Sequence, residues 1–258
     1  FLLIDAHIHL DQYPKQDIPL LIDEWHETGI EGVVAVSTNL SSCYETLDLA
    51  CRFPDFVYPC LGWHPEQPLP NDHELDELIQ LIRMENHRIA GIGEIGLPHY
   101  SLEKLGYPSL EPYLELVTMF LREANDHRLP VALHAVHDKA AIVIDLLQRE
   151  QVTKAHFHWL KADSATLQAI IQSGYMVSVT PEVCYRKRDE ILAAQVPLGQ
   201  LLLETDGPWP FAGPFQGKQT TPVFLQDSAI KIAELKEIPL SAAKKYVTRN
   251  ARMFYNKE

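Results

Sequence analysis

The chain has 258 residues, a length that one domain can fill, since α/β barrels run to about 250 residues as a single unit. Hydrophobic residues make up 46% of it and charged residues 22%, a globular balance that argues against disorder. Acids outnumber bases 35 to 22, and the formal net charge of −13 excludes a chain that holds polyanions by bulk electrostatics, though not one with a local basic patch.

In chain order, residues 2–8 form the first expected strand and 18–28 a helix that ends at Gly29, a helix-stopping signal. The alternation continues through strands at 32–37, 56–61, 89–93, 130–134, 155–159, 175–179 and 200–204. Amphipathic stretches at 41–52, 73–86, 110–127, 139–149, 165–172 and 186–194 lie between them, and 223–235 and 241–254 follow the last strand. Eight short apolar strands, each followed by a helix, predict an α/β chain folded as one (β/α)8 TIM barrel over residues 1–258, with an extra C-terminal helix. A doubly wound open sheet fits less well, because the first βα turn lacks G-x-G-x-x-G. Stretches 97–109 and 207–222 read as irregular loops.

The first 66 residues carry 11 acids and 2 bases, and the last 46 carry 8 bases and 4 acids, so a phosphate-facing surface is expected in the C-terminal segment unless those bases form a solvated helix face. Cys43, Cys51, Cys60 and Cys184 show no C-x-x-C spacing and read as reduced thiols. The N-terminus is apolar for only four residues without a basic lead, so neither a signal peptide nor an anchor is expected. No run reaches the roughly 18 apolar residues of a membrane span, and the cytoplasm is the expected location, with no obligate protein partner.

His7 and His9 end the first strand two residues apart, so both imidazoles leave the same side of it. Alone, H-x-H is a weak motif. It gains force from position: His64 follows the third strand, Glu94 the fourth and His134 the fifth, His156 and His158 lie in the sixth, and Asp206 follows the eighth. In a barrel those ends share the face where βα loops build active sites. Buried carboxylates and imidazoles in such number call for a divalent cation. The donors exceed the three that a mononuclear catalytic zinc site uses, which points to two ions with Glu94, from a central strand, as the bridge. Mixed nitrogen and oxygen donors suit zinc, manganese or iron better than calcium; magnesium remains open.

Ile4-Asp5-Ala6-His7-Ile8-His9-Leu10-Asp11, Gly62-Trp63-His64-Pro65, Gly91-Ile92-Gly93-Glu94-Ile95-Gly96-Leu97, Leu129-Pro130-Val131 leading to His134, and Leu203-Glu204-Thr205-Asp206-Gly207-Pro208 follow in order at barrel spacing. On these motifs the chain resembles the TatD family of metal-dependent deoxyribonucleases and related hydrolases along nearly its whole length. The resemblance implies a TIM barrel, one metal on His7, His9, Glu94 and Asp206, and a second on Glu94, His134 and His158. His158-Trp159-Leu160 matches the family's sixth strand better than His156-Phe157-His158, which leaves His156 a buried or supporting role.

The chain also departs from that pattern. Pro98-His99 stands where the family usually has Asp, Val136 where it has Arg, Gln216-Gly217-Lys218 with Thr220 where it has Arg-Gly-Lys and Asn, and Glu66 where it often has His. Metal ligands survive while phosphate-contacting cations are thinned.

The expected chemistry is two-metal hydrolysis of a phosphoester, short or single-stranded DNA among the substrates. The ions acidify a water, Asp206 accepts its proton, His64 contacts the substrate or protonates the leaving group, and Lys218 contacts phosphate. Trp63, Trp159 and Trp209 either stack on bases or pack under loops, Glu204 is structural or supports the ligands from behind, and Asp5 orients a histidine ligand. Three other readings stand beside this one: an amidohydrolase cleaving C–N bonds, a histidinol-phosphatase-like phosphoesterase, whose barrel is usually seven-stranded, and a binding barrel without turnover.

Overall fold

A computed structural model describes residues 2–255. Eight parallel strands follow one another in a single sheet in chain order, β1 (Leu3–Ile8), β2 (Ile30–Val36), β3 (Val57–Leu61), β4 (Gly91–Gly96), β5 (Val131–His134), β6 (Ala155–Phe157), β7 (Met176–Val179) and β8 (Leu201–Leu203). Helices occupy the connections: α1 (Ile18–Glu27), α2 (Leu40–Arg52), α3 (Asp72–Glu85), α4 (Leu102–Leu105), α5 (Glu111–His127), α6 (Asp138–Arg149), α7 (Ser164–Gln172), α8 (Lys187–Gln195), α9 (Leu225–Leu235) and α10 (Leu240–Tyr255). The fold is the expected (β/α)8 TIM barrel, with α10 as the extra C-terminal helix. Eight strands, rather than seven, weigh against the histidinol-phosphatase-like reading.

Every residue of β1, β4, β5, β6, β7 and β8 is buried, as strands covered on both faces require. Helices α3 and α7 start on side-chain caps, α7 with Asp163 accepting from the Thr166 amide. Before α3, Asn71 accepts from the backbone N–H of Glu74 while the Glu74 carboxylate accepts from that of Asn71. The α5 sequence buries Tyr113, Leu116, Val117, Phe120, Leu121 and Ala124, a stripe at helical spacing.

The chain groups into two compact units. In the first, made of Phe1–Ala35, Leu49–Tyr58 and Val177–Glu258, β1 pairs with β2 and β7 with β8. The end of β8 meets β1: the Asp206 amide donates to the His7 carbonyl at 2.9 Å and the His9 amide to the Gly207 carbonyl at 2.8 Å. At the opposite ends of these strands, α10 ties down the chain through Thr248 Oγ1 on the Leu2 carbonyl and Asn250 Nδ2 on the Leu198 and Leu201 carbonyls. Half of the bases in the last 46 residues are held by protein groups on these helices. Lys236 caps the Ala194 and Val196 carbonyls, Lys244 donates to Gln226, Lys231 pairs with Glu190 and Glu234, and Arg252 pairs with Glu31. They serve the helix layer rather than a phosphate-facing surface.

The second unit comprises Val36–Asp48 and Pro59–Met176. Here β3 pairs with β4 (Cys60 opposite Gly91), β4 with β5 (Gly96 opposite His134) and β5 with β6 (Leu133 opposite Phe157). Among the described residues, no helix is long and apolar enough to cross a membrane.

Candidate metal centre

In the first unit the donors come from the C-terminal end of β1 and the residue that follows the Leu-Glu-Thr run after β8. Asp206 Oδ1 lies 3.2 Å from His9 Nε2 and 3.5 Å from His7 Nε2. Backbone hydrogen bonds between the two strands fix this geometry, and Asp5 reinforces it. Fully buried, Asp5 accepts from the amides of His7 (3.2 Å) and Thr205 (3.0 Å) and from the Thr205 hydroxyl. It therefore holds the backbone that carries His7 as well as the backbone that carries Asp206. Burial pushes the Asp5 carboxyl up to about 8, against the hydrogen bonds from Thr205 and His7 that pull it down. Asp206 itself sits at φ 49°, a left-handed conformation that Asp tolerates better than most residues.

In the second unit, three imidazoles converge on one oxygen of a fully buried carboxylate. Glu94 Oε1 lies 2.8 Å from His158 Nε2, 3.1 Å from His134 Nδ1 and 3.1 Å from His64 Nε2. His158 Nε2 and His134 Nδ1 are 3.5 Å apart. His64 Nδ1 accepts from the Glu66 amide at 3.1 Å, so a neutral His64 carries its proton on Nε2 and donates it to Glu94. The outer nitrogen of His134, Nε2, faces Glu66 Oε1 at 3.0 Å.

Glu66 ties this cluster to the loop after β4. It accepts from the amides of His99 (2.7 Å), Tyr100 (3.0 Å) and Ser101 (2.7 Å) and from the Ser101 hydroxyl. Burial opposes the charge, but the hydrogen bonds from His134, Ser101 and the loop amides hold its carboxyl well below the usual range. Burial likewise depresses His134, and Glu66 with Glu94 outweighs it, leaving the imidazole above its ordinary value.

Both donor sets fit a divalent ion. His7, His9 and Asp206 offer one ligand atom each within 4.8 Å of one another, Glu94 Oε1, His134 Nδ1 and His158 Nε2 lie within 3.5 Å of one another, and mixed imidazole and carboxylate donors suit zinc, manganese or iron. The family model described as "TatD related DNase" matches residues 4–256. The chain belongs to the TatD related DNase family. An uncharacterized metal-dependent hydrolase of Haemophilus influenzae is 37% identical over 98% of this chain and 99% of its own length. The human deoxyribonuclease TATDN3 is 26% identical over 99% of this chain and 95% of its own. Among solved structures, YJJV, a TatD homolog from Escherichia coli, superposes with a TM-score of 0.88 at 25% identity and covers 99% of this chain and 98% of that one.

Against the ligands that the TatD resemblance implies, the first unit gathers His7, His9 and Asp206, and the second gathers Glu94, His134 and His158. Of the two sixth-strand histidines, His158 is the one at Glu94, whereas His156 is buried within β6 opposite Ala132. Lys218 lies exposed on the loop after β8. Trp63 is buried with its Nε1 on the Pro68 carbonyl, and Trp209 is exposed. Glu204 is buried and accepts from the Ser178 hydroxyl at 2.6 Å.

Sequence reasoning missed Glu66 as a partner of His134, although a carboxylate two residues beyond a strand-end histidine was a visible signal. If His134 binds metal through Nδ1, its proton must sit on Nε2, and Glu66 is the acceptor that holds it there. Glu66→Ala is expected to weaken metal binding about ten- to a hundredfold in a chelator competition, because partners of ligating histidines have effects of that size. Glu66→Gln, whose amide oxygen still accepts from Nε2–H, should recover most of the loss. Equal affinity in the alanine variant and the wild type would remove Glu66 from the centre.

Proposed function

We propose that the chain is a divalent-metal-dependent hydrolase of phosphoesters, a deoxyribonuclease-type phosphodiesterase acting on short or single-stranded DNA, built as one domain over residues 1–258. The observation that carries this reading is the convergence of His64, His134 and His158 on the buried Glu94 carboxylate, alongside the His7, His9 and Asp206 set. One ion is assigned to His7, His9 and Asp206 and a second to His134 and His158, with Glu94 the shared carboxylate that the TatD resemblance implies. When bound, such ions supply Lewis acidity that acidifies water and neutralises charge on the attacked and leaving oxygens.

The chain's own residues do the rest. Asp206 is the base that takes the proton of the attacking water, held in place by the β8–β1 backbone bonds and by Asp5. His64 orients Glu94 through its Nε2 proton and, being partly exposed, contacts the substrate. Lys218 supplies a phosphate contact from the loop after β8. Glu94 occupies the strand-four place where many amidohydrolases carry a modified lysine, which favours ester over C–N cleavage. A cytoplasmic location belongs to the same proposal.

The test is one purified preparation, stripped with chelator and then supplemented with zinc, manganese, magnesium or iron, assayed against single-stranded DNA, RNA and small phosphoesters. Hydrolysis that vanishes on stripping and returns with one of these ions is expected. Failure to cleave any phosphoester with every ion would sink the reading.

A further inference from the structure

Beside the metal ligands of the second unit, the loops after β4, β5 and β6 bring together side chains that the chemistry above does not use. Lys161 Nζ donates to the Tyr100 hydroxyl at 3.0 Å, and that hydroxyl lies 3.5 Å from His137 Nε2. An ammonium, a phenol and an imidazole, one from each loop, therefore meet around one point.

Each is held in place. Lys161 Nζ sits 4.5 Å from the centre of the Trp159 ring, a cation–π contact that fixes the ammonium without neutralising it. The His137 ring stacks on His99 with centroids 4.5 Å apart, and His99 Nδ1 is anchored 3.3 Å from Asp138 Oδ1. The backbone is strained at two of these residues. His137 has φ 55° and ψ −129°, a region that residues other than glycine rarely enter, and Trp159 has φ 38°. The His137 amide is tied to the Lys161 carbonyl at 2.5 Å, so the strained loop is locked to its neighbour. Strain of this kind persists where the surroundings over-determine it, and it gathers at ligand sites.

The cluster also abuts the metal centre. The Tyr100 amide donates to the same Glu66 oxygen that faces His134 Nε2, and the Tyr100 and His134 ring centres are 6.4 Å apart.

We infer that Lys161, Tyr100 and His137 form a second phosphate subsite, which holds a non-scissile phosphomonoester of the substrate beside the His134 end of the metal centre. Three convergent donors of different kinds match the several acceptor oxygens of a terminal phosphate, and the single ammonium gives the charge-assisted bond that a dianion strengthens most. In an acidic chain, Lys161 thus supplies a local cation for this phosphate, separate from Lys218 on the loop after β8. The preferred substrates are short oligonucleotides with a phosphorylated end. The inference rests on the phosphoester-hydrolase reading for its catalytic consequence but not for binding, and the two are tested apart.

In the metal-loaded protein, kcat/KM is compared for a thymidine dinucleotide that is unphosphorylated, 5′-phosphorylated or 3′-phosphorylated. One phosphorylated form is expected to be preferred roughly ten- to a hundredfold, the range of a charge-assisted hydrogen bond, and Lys161→Met, which keeps the stem on Trp159, should bring that ratio close to one. Tyr100→Phe should lower it partway. In the metal-free protein, inorganic phosphate followed by phosphorus NMR should bind to the wild type and lose that binding in Lys161→Met.

A ratio near one in the wild type, or a ratio unchanged by Lys161→Met, would overturn the subsite. So would phosphate binding that survives Lys161→Met and disappears in His134→Ala, because the anion would then sit among the metal ligands. If no dinucleotide is cleaved, the metal-free titration alone decides the subsite: Lys161-dependent binding upholds it and absence of binding overturns it.

Discussion

Replacing His134 or Asp206 with alanine is expected to lower kcat on a generic phosphodiester at least about a thousandfold, the order of several kcal/mol that a catalytic metal contributes. Each substitution deletes a donor from a different set. Without His134, Glu94 keeps His158 and His64, and His64 already has its Nε2 proton committed to the carboxylate. Without Asp206, His7 and His9 lose a carboxylate that lies within 3.5 Å of both. Metal content per chain should therefore fall in both variants, which separates loss of the ion from loss of a proton acceptor. Asp206→Asn keeps the side-chain shape and one coordinating oxygen but abolishes the base, so it should retain more metal than Asp206→Ala while staying nearly as inactive. Wild-type turnover by either alanine variant in metal-replete buffer would show that these residues do not carry the reaction.

Strand existence and order were readable because a barrel strand, buried on both faces, is a short apolar run, and all eight such runs became strands. Boundaries drifted where side-chain chemistry and strand pairing disagree. Residues 89–93 mark the apolar part of the fourth strand, yet β4 runs from Gly91 to Gly96 and carries Glu94 inside it. A carboxylate reads as a strand end in one dimension, whereas in three it is a buried group surrounded by imidazoles. The helix at Leu102–Leu105 was hidden in a stretch that reads as loop, being too short to show a period.

The ligands were legible for the same reason as the strands: they sit at fixed offsets from apolar runs. Partners that arrive from loops far apart in sequence were not. Glu66 reaches His134 across 68 positions, and Lys161 reaches Tyr100 across 61, so neither pair leaves a local pattern. Asp5 shows a subtler limit. It is expected to orient a histidine ligand and does hold the His7 amide, but its other hydrogen bonds run to Thr205, 200 residues away, a partner that the sequence does not reveal. The basic C-terminal segment left two readings open, a phosphate-facing surface or a helix face. A run of lysines is visible in the sequence, while the carbonyls and carboxylates that engage Lys231, Lys236 and Arg252 are not.

Gly96→Ala is expected to cause the largest loss of stability that a single methyl group can produce in this chain, and to disable the metal centre at the same time. Gly96 closes β4 opposite His134, at φ 155°, and a Cβ there would lie 1.9 Å from the His134 carbonyl oxygen and 2.7 Å from its carbonyl carbon. Those are backbone atoms of a buried strand, and they cannot rotate away as a flexible side chain would. The Leu97 amide also donates to that carbonyl at 3.0 Å, so any retreat of β5 breaks a ladder bond and carries the His134 imidazole with it. Backbone strain and overpacking together come to about 3–5 kcal/mol. In a chain of this size that lowers the melting temperature by on the order of 10 °C. Gly106→Ala provides the control. Gly106 also has positive φ, at 70°, but a Cβ there meets nothing within 4 Å, so only the left-handed penalty of about 1–2 kcal/mol remains. Thermal melts of the two variants measure the difference, and chelator competition on the Gly96 variant, below its melting point, measures the displacement of His134. If Gly96→Ala melts no lower than Gly106→Ala and binds metal like the wild type, the close approach of β4 and β5 is not what holds His134 against Glu94.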